Sequence, residues 1–152
     1  MLIILEGCDG SGKTTLARSL ARIFDAEIIH CTSRTPNDKK FFEGIIEASK
    51  TKNIIADRFC YGQYVYQEKR DRPLGGYDNL NYLETKLLAA GAKVIYVGAP
   101  AEEIEKRLEL RGEKLINGLT VCDVMRKFEE VFKFHSILGD SIIEWNTGGD
   151  WK

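Results

Sequence analysis

Residues 7–14 read Gly7-Cys8-Asp9-Gly10-Ser11-Gly12-Lys13-Thr14, a complete match to the pattern G-x-x-x-x-G-K-[ST]. The apolar run 2–5 precedes them, and apolar residues at helical spacing follow between 14 and 24. In this context the backbone N–H groups of the turn and the positive end of the helix dipole face one anion. We therefore expect this stretch to bind a nucleoside triphosphate. The alternative is a glycine-rich turn with an incidental lysine.

The composition is that of an ordinary globular protein. The chain has 152 residues, 43% hydrophobic and 30% charged, which suits one core and excludes a disordered or fibrous chain. Lys and Arg number 22 against 23 Asp and Glu, and the formal net charge of −1 disfavours nucleic-acid binding by bulk charge. No apolar run approaches the roughly 18 residues of a membrane span, and the first residues do not resemble an export signal. The four cysteines are widely spaced, so we expect reduced thiols and a cytoplasmic protein without a membrane partner.

Short apolar runs alternate with longer amphipathic segments along the chain. Strands are predicted at 2–5, 27–31, 53–57, 93–97 and 141–145, and helices at 14–24, 41–49, 61–69, 80–90, 100–110 and 120–138. This alternation predicts βαβ units, and hence an α/β fold with a five-stranded parallel sheet and helices on both faces. No linker or repeat divides the sequence, so residues 1–152 are expected to form a single domain.

Two further groups of charged residues narrow the chemistry. Asp57 ends an apolar strand and Arg58 follows it, at the sheet edge where ligands of such folds bind. A carboxylate there can orient Mg²⁺ or act as a base, and a surface ion pair is the alternative. Arg107 and Arg111 are four residues apart, so both are expected on one helix face, as cations over a phosphate chain or as partners of Glu103 and Glu109. The glycine after Arg111 suggests a mobile lid over about 107–120.

These motifs resemble those of thymidylate kinases. Residues 5–15, Leu-Glu-Gly-Cys-Asp-Gly-Ser-Gly-Lys-Thr-Thr, are similar to their F-E-G-x-D-G-(A/S)-G-K-T-T, and Asp57-Arg58-Phe59 with Tyr66-Gln67 resembles their D-R-Y…A-Y-Q. Residues 100–111 are similar to the helix that enters their lid, and Arg34-Thr35-Pro36 to their R-E-P-G. The resemblance implies a three-layer P-loop kinase fold that uses ATP and Mg²⁺.

The resemblance also implies a role for each matching residue. The cofactor phosphates would be held by Gly7, Cys8, Asp9, Gly10, Ser11, Gly12, Lys13, Thr14 and Thr15. Thr14 and Asp57 would hold the metal, and the catalytic residues would be Lys13, Asp57, Arg58, Arg107 and Arg111. The acceptor would be bound by Asp9 at its sugar hydroxyl, Arg34 and Arg58 at its phosphate, Gln63 at its base and Tyr66 at its deoxyribose.

The sequence departs from the family mainly on the acceptor side. Only the 22 residues 35–56 separate Arg34 from Asp57, far fewer than in thymidylate kinases, and the lid lacks their D-R-F-E. We expect an ATP-dependent phosphotransferase, with a deoxynucleoside monophosphate such as dTMP as acceptor. One alternative is a hydroxyl acceptor: a nucleoside, a polynucleotide end or a hydroxymethylpyrimidine in DNA. Small phage-type kinases related to thymidylate kinases are of this sort, and a phage-encoded protein would act in the host cytoplasm. Another is a nucleotide-binding regulator without catalysis. The oligomeric state is left open, with a homodimer as one alternative.

Overall fold

The computed structural model describes residues 1–32, 35–115 and 118–148. The strands in these ranges are β1 (Leu2–Glu6), β2 (Glu27–His30), β3 (Ile54–Asp57), β4 (Lys93–Gly98) and β5 (Ile143–Asn146). The α-helices are α1 (Lys13–Phe24), α2 (Lys39–Ala48), α3 (Gln63–Tyr66), α4 (Tyr77–Ala89), α5 (Ala101–Arg111) and α6 (Val121–Glu130). The predicted alternation of strands and helices is confirmed.

The five strands form one parallel sheet in the order β2-β3-β1-β4-β5. β1 is buried along its whole length, as its uninterrupted apolar run predicts for a central parallel strand. The chain runs first to one side of β1 and later to the other. Ligands of open α/β sheets bind at such a reversal, outside the carboxyl ends of the strands. Residues 7–14 lie at that point.

Helices cover both faces of the sheet, as predicted. On one face α1 packs through Ala17 and Leu20 against Leu5, Ile55 and Val97. The other face carries the larger core, to which α2, α4, α5 and α6 contribute Phe42, Leu83, Ile104 and Phe128 among others. The arrangement is a three-layer P-loop kinase fold, as the sequence predicted.

Two helices differ from their predicted extents. In place of a helix over 61–69, a 3₁₀ turn (Cys60–Gly62) leads into the four-residue α3, and Gln67 is extended. In place of one helix over 120–138, α6 ends at Glu130 and a wide π turn follows to His135. Buried Glu84 of α4 explains the second difference, because it accepts hydrogen bonds from the Ser136 hydroxyl and the Ile137 N–H and fixes the exit of the chain. Helical periodicity contains no information about such contacts.

Helices long and apolar enough to cross a membrane are absent from the described ranges. The cysteines are free thiols: Cys8, Cys31 and Cys60 are buried and Cys122 is exposed.

Candidate active site

Residues 7–12, which we call the phosphate loop, connect β1 to α1. The loop requires glycine at both of its ends. Gly7 lies so close to the Val97 carbonyl of β4 that any Cβ would overlap it. Gly12 precedes the first turn of α1 with a φ of 98°, in the left-handed region where side chains are strained. The turn between them is closed by a hydrogen bond from the Ser11 N–H to the Cys8 carbonyl, 3.1 Å long. The sequence therefore builds the glycine-dependent turn that the motif predicts between a strand and a helix.

A cavity of about 240 Å³ lies over the loop, at the carboxyl ends of β1, β2 and β3. Nine of the predicted site residues line it: Asp9, Gly10, Gly12, Lys13, Thr14, Thr15, Asp57, Arg58 and Arg111. His30, Cys31, Thr32 and Glu113 complete its lining. Three separate parts of the sequence thus meet at one polar cavity, as predicted. Arg34 lies outside the described residues.

Lys13 is only 6% exposed although it carries a charge. Its Nζ donates to the Cys8 carbonyl at 3.0 Å. Burial lowers the pKa of Lys13 below its ordinary value, while the carboxylates of Asp57 and Glu6 oppose the shift. Because its partner is a neutral carbonyl, the ammonium can exchange that bond for a stronger one to a phosphate oxygen.

Thr14 and Asp57 form an oxygen pair at the wall of the cavity. The Thr14 hydroxyl donates to Asp57 Oδ2 over 3.0 Å. His30 Nδ1 approaches the same oxygen at 3.1 Å, because parallel register places residue 30 of β2 opposite residue 57 of β3. A hydroxyl and a carboxylate beside a phosphate site are ligands of the type that Mg²⁺ takes. The donor set therefore fits the expected metal.

Arg58 occupies a strained position at the mouth of the cavity. Its φ of 75° is unusual for a residue with a side chain. Its guanidinium forms an ion pair with Asp9, and its central carbon lies 5.2 Å from the centre of the Tyr66 ring. The alternative considered from the sequence, a surface ion pair between Asp57 and Arg58, is thus replaced by a pair between Arg58 and Asp9 of the phosphate loop. An anionic acceptor group would compete with Asp9 for this arginine.

Glu6 is a buried acid that the sequence analysis did not single out. The carboxyl group is 1% exposed, and its Oε2 accepts from the Gly62 N–H at 3.1 Å. Burial raises the pKa of Glu6 to about 7, although Arg58 and Lys13 act in the opposite direction. The sequence did contain a signal for this residue, because Glu6 is an acidic residue directly after an uninterrupted apolar run. His30 offered none, because its pairing with Asp57 depends on the register of two strands.

Arg107 and Arg111 do not act as a pair here. Arg111, the last residue of α5, lines the cavity. Arg107 instead binds the phosphate loop, donating to the Gly10 carbonyl at 3.0 Å and to the Thr147 hydroxyl and carbonyl at 3.1 and 3.2 Å. It also lies 3.6 Å from Glu103, the alternative partner considered from the sequence. Of the two arginines, therefore, only Arg111 lines the cavity.

Gln63 and Tyr66 are buried outside the cavity lining. The Gln63 amide donates to the Asn37 carbonyl at 2.5 Å and accepts from the Leu74 N–H at 3.1 Å. Both ends of the amide are thus occupied by the protein's own backbone, unlike the expected base-reading residue. Tyr66 packs beside Arg58, whose guanidinium lies over its ring.

The fold defines the class of architecture: it is the P-loop fold that nucleoside and nucleotide kinases share. Deoxyadenosine kinase from M. mycoides with bound dATP superposes with a TM-score of 0.58 at 17% identity, over 99% of this chain and 93% of that one. Thymidylate kinase from Candida albicans gives 0.53 at 18%, over 99% and 84%. At these identities the likeness shows the fold alone.

One relative is much more similar. The chain is 34% identical over 151 residues to the SPbeta prophage-derived uncharacterized protein YorR of Bacillus subtilis (strain 168), covering 97% of this chain and 89% of YorR. The crystal structure of YorR in complex with phosphorylated GDP has a TM-score of 0.74 at 30% identity, over 96% of this chain and 85% of YorR. The chain belongs to the YorR family. No established family profile matches it.

Proposed function

We propose that the protein is an ATP- and Mg²⁺-dependent phosphotransferase that acts on a nucleotide. The observation that supports it most is the single cavity lined by Lys13, Thr14, Asp57, Arg58 and Arg111. Phosphoryl transfer requires little covalent participation by the enzyme and depends on positioning and charge stabilisation. Positioning and charge stabilisation can both be provided here by the buried lysine, the oxygen pair suited to a metal and the two arginines around the turn.

In the proposed reaction, the loop amides and Lys13 hold the β- and γ-phosphates of ATP. Mg²⁺, held by the Thr14 hydroxyl and the Asp57 carboxylate, would neutralise charge on these phosphates. Arg58 exchanges Asp9 for the acceptor phosphate, whose oxygen bonds to the γ-phosphorus as the bond to the β-phosphate oxygen breaks and ADP leaves. Arg111 stabilises the charge on the transferring group. No protein base is needed, because the acceptor phosphate oxygen is already ionised.

The acceptor that we propose is a deoxynucleoside monophosphate, of which dTMP is the representative suggested by the sequence. Support comes from the Arg58–Asp9 pair, which can hold an acceptor phosphate and a sugar hydroxyl. The phosphorylated GDP named for the YorR crystal structure supports a nucleotide ligand and adds guanine nucleotides to the candidates.

A hydroxyl acceptor is the second candidate, and two observations favour it. The amide of Gln63 has a backbone partner at its nitrogen and another at its oxygen, which argues against the base-reading role expected from thymidylate kinases. Asp57 also has His30 beside it, an arrangement in which a carboxylate or imidazole can take the proton of an attacking hydroxyl. A nucleoside or a hydroxymethylpyrimidine in DNA would supply such a hydroxyl.

The deciding experiment incubates the purified protein with ATP and Mg²⁺ and identifies products by mass spectrometry. The acceptor panel contains the deoxynucleoside monophosphates, GMP and GDP, deoxynucleosides, and DNA with and without hydroxymethylpyrimidine. We expect nucleotide products one phosphate longer. Phosphorylated nucleoside or DNA without such products would select the second candidate. Binding of ATP with no product from any acceptor would select the non-catalytic regulator.

A further inference from the structure

A second cavity, of about 390 Å³, lies outside the phosphate site. Its lining combines aromatic and charged side chains, among them Tyr64, Tyr66, Arg72, Tyr77, Lys127 and Glu130. The volume falls in the range of small-molecule sites, which typically join apolar surface to a few polar groups that fix orientation. None of the functions described above uses this cavity.

One pair of side chains in contact joins the linings of the two cavities. Arg58 lines the phosphate cavity and Tyr66 lines the second cavity, and the Arg58 guanidinium lies against the Tyr66 ring at 5.2 Å. A ligand whose phosphate or hydroxyl group is held at Arg58 would therefore extend past Tyr66 into the second cavity. The Gln63 amide, in contrast, is already bonded to the Asn37 carbonyl and the Leu74 N–H.

Arg72 is held in the second cavity as a flat cation on an aromatic stack. Its guanidinium centre lies 4.9 Å from the Tyr64 ring centre, and its Nε donates to the Gln67 carbonyl at 3.3 Å. Tyr64 stacks on Tyr77 with ring centres 4.8 Å apart. Tyr77 in turn stacks on His135 with ring centres 3.7 Å apart and an interplanar angle of 2°. The column keeps Arg72 in place before any ligand binds, which lowers the entropic cost of stacking on it.

We propose that the second cavity binds the nucleobase of the phosphoryl acceptor, stacked on the Arg72 guanidinium. This inference rests on the proposed function and relocates the base from the predicted Gln63 position to the opposite side of Tyr66. Guanidinium planes stack on nucleobases regardless of sequence, and Lys127 and Glu130 offer a donor and an acceptor to the base edge. The ligand class is a nucleobase attached to a sugar phosphate, free or in a DNA strand.

The test compares Arg72→Ala and Arg72→Lys with the control Arg70→Ala, an exposed neighbour that pairs only with Glu68 and Asp71 among the described residues. The acceptors are the deoxynucleoside monophosphates, a single-stranded oligodeoxynucleotide and deoxyribose 5-phosphate, which lacks a base. For the acceptor that the wild type uses, we expect both Arg72 variants to raise KM about tenfold, because lysine keeps the charge without the stacking plane. KM for ATP should stay within twofold, and deoxyribose 5-phosphate should bind equally to all variants.

Calorimetric titration with the same acceptors makes the test independent of catalysis. If the Arg72 variants lose affinity for ligands that carry a base, and the wild type turns over none of them, the proposed function is refuted and the base site stands. An effect of Arg72→Ala no larger than that of Arg70→Ala would overturn the base site. An equal loss for deoxyribose 5-phosphate would also overturn it. Circular dichroism confirms that the variants are folded, and the mononucleotide and oligonucleotide arms identify which source supplies the base.

Discussion

Glu6 illustrates how a single buried side chain affects the whole protein. Its pKa is raised from 4.5 to about 7 in the folded protein, because the carboxylate form is desolvated. Between these values the folded state holds a proton that the unfolded state has lost. The free energy of unfolding therefore falls as pH rises through the window from 4.5 to 7, by about 3 kcal/mol for this group. Above pH 7 the penalty is fully present.

Glu6→Gln should remove this part of the pH dependence, since a neutral amide of the same size is buried at every pH. The measurement is urea unfolding of both proteins at pH 5 and pH 7.5. We expect the variant to gain stability relative to wild type at the higher pH. Glu84→Gln is the matched control, because Glu84 is equally buried but bonds to Tyr61 and Ser136, away from the phosphate loop. Parallel pH curves for wild type and Glu6→Gln would contradict the assignment.

At the scale of elements, α5 presents its two arginines to different targets, although they are one turn apart. Arg111→Ala should reduce kcat at least 100-fold and leave ATP affinity within about tenfold, because in the proposed reaction its charge acts on the transferring group. Arg107→Ala should do the reverse, weakening ATP binding about tenfold, since it leaves the Gly10 carbonyl unpaired. Lys106→Ala, exposed on the same helix, is the control. Steady-state kinetics and calorimetric ATP titration separate the cases, and equal effects of both arginines would argue against this division.

Elements also show what the sequence could and could not predict. The buried run of β1 and the glycines of the loop were sufficient to predict the central strand and the turn that follows it, because local pattern and tertiary role agree there. The predicted ends of α3 and α6 were wrong. Gln63 binds the Leu74 N–H, and Glu84 binds the Ser136 hydroxyl and the Ile137 N–H, contacts that a helical pattern does not contain. The same reason explains His30, Arg107 and Gln63: the residue types were visible, but their partners follow from the packed chain.

At the scale of the whole molecule, the phosphate loop depends on a residue from the far end of the chain. The Thr147 hydroxyl donates to the Ser11 carbonyl and accepts from Arg107, while the Thr147 N–H bonds the Gly98 carbonyl at 2.8 Å. Thr147 therefore joins the end of β5 to the loop, to α5 and to β4. Its side chain also packs 3.1 Å from the position that a Cβ on Gly12 would take.

Thr147→Val keeps the size of this side chain and removes its hydroxyl. We expect a loss of about 1–3 kcal/mol in the free energy of unfolding, because the Ser11 carbonyl loses a partner in a partly buried site. ATP affinity should fall several-fold with little change in kcat for bound substrate. Thr85→Val is the control, since its hydroxyl bonds a helix carbonyl on the exposed side of α4. Chemical denaturation and ATP titration measure both effects, and a variant as stable as the control would show that Thr147 is dispensable.

The same threonine bears on the order in which the protein is made. Ser11 is synthesised 136 residues before Thr147. Residues 7–14 are therefore present in the growing chain well before the threonine that fixes them. Until then the carbonyls of the loop and Arg107 lack the partner that fixes them. For the ATP binding that we propose, the loop therefore reaches its fixed geometry only after Thr147 has been synthesised.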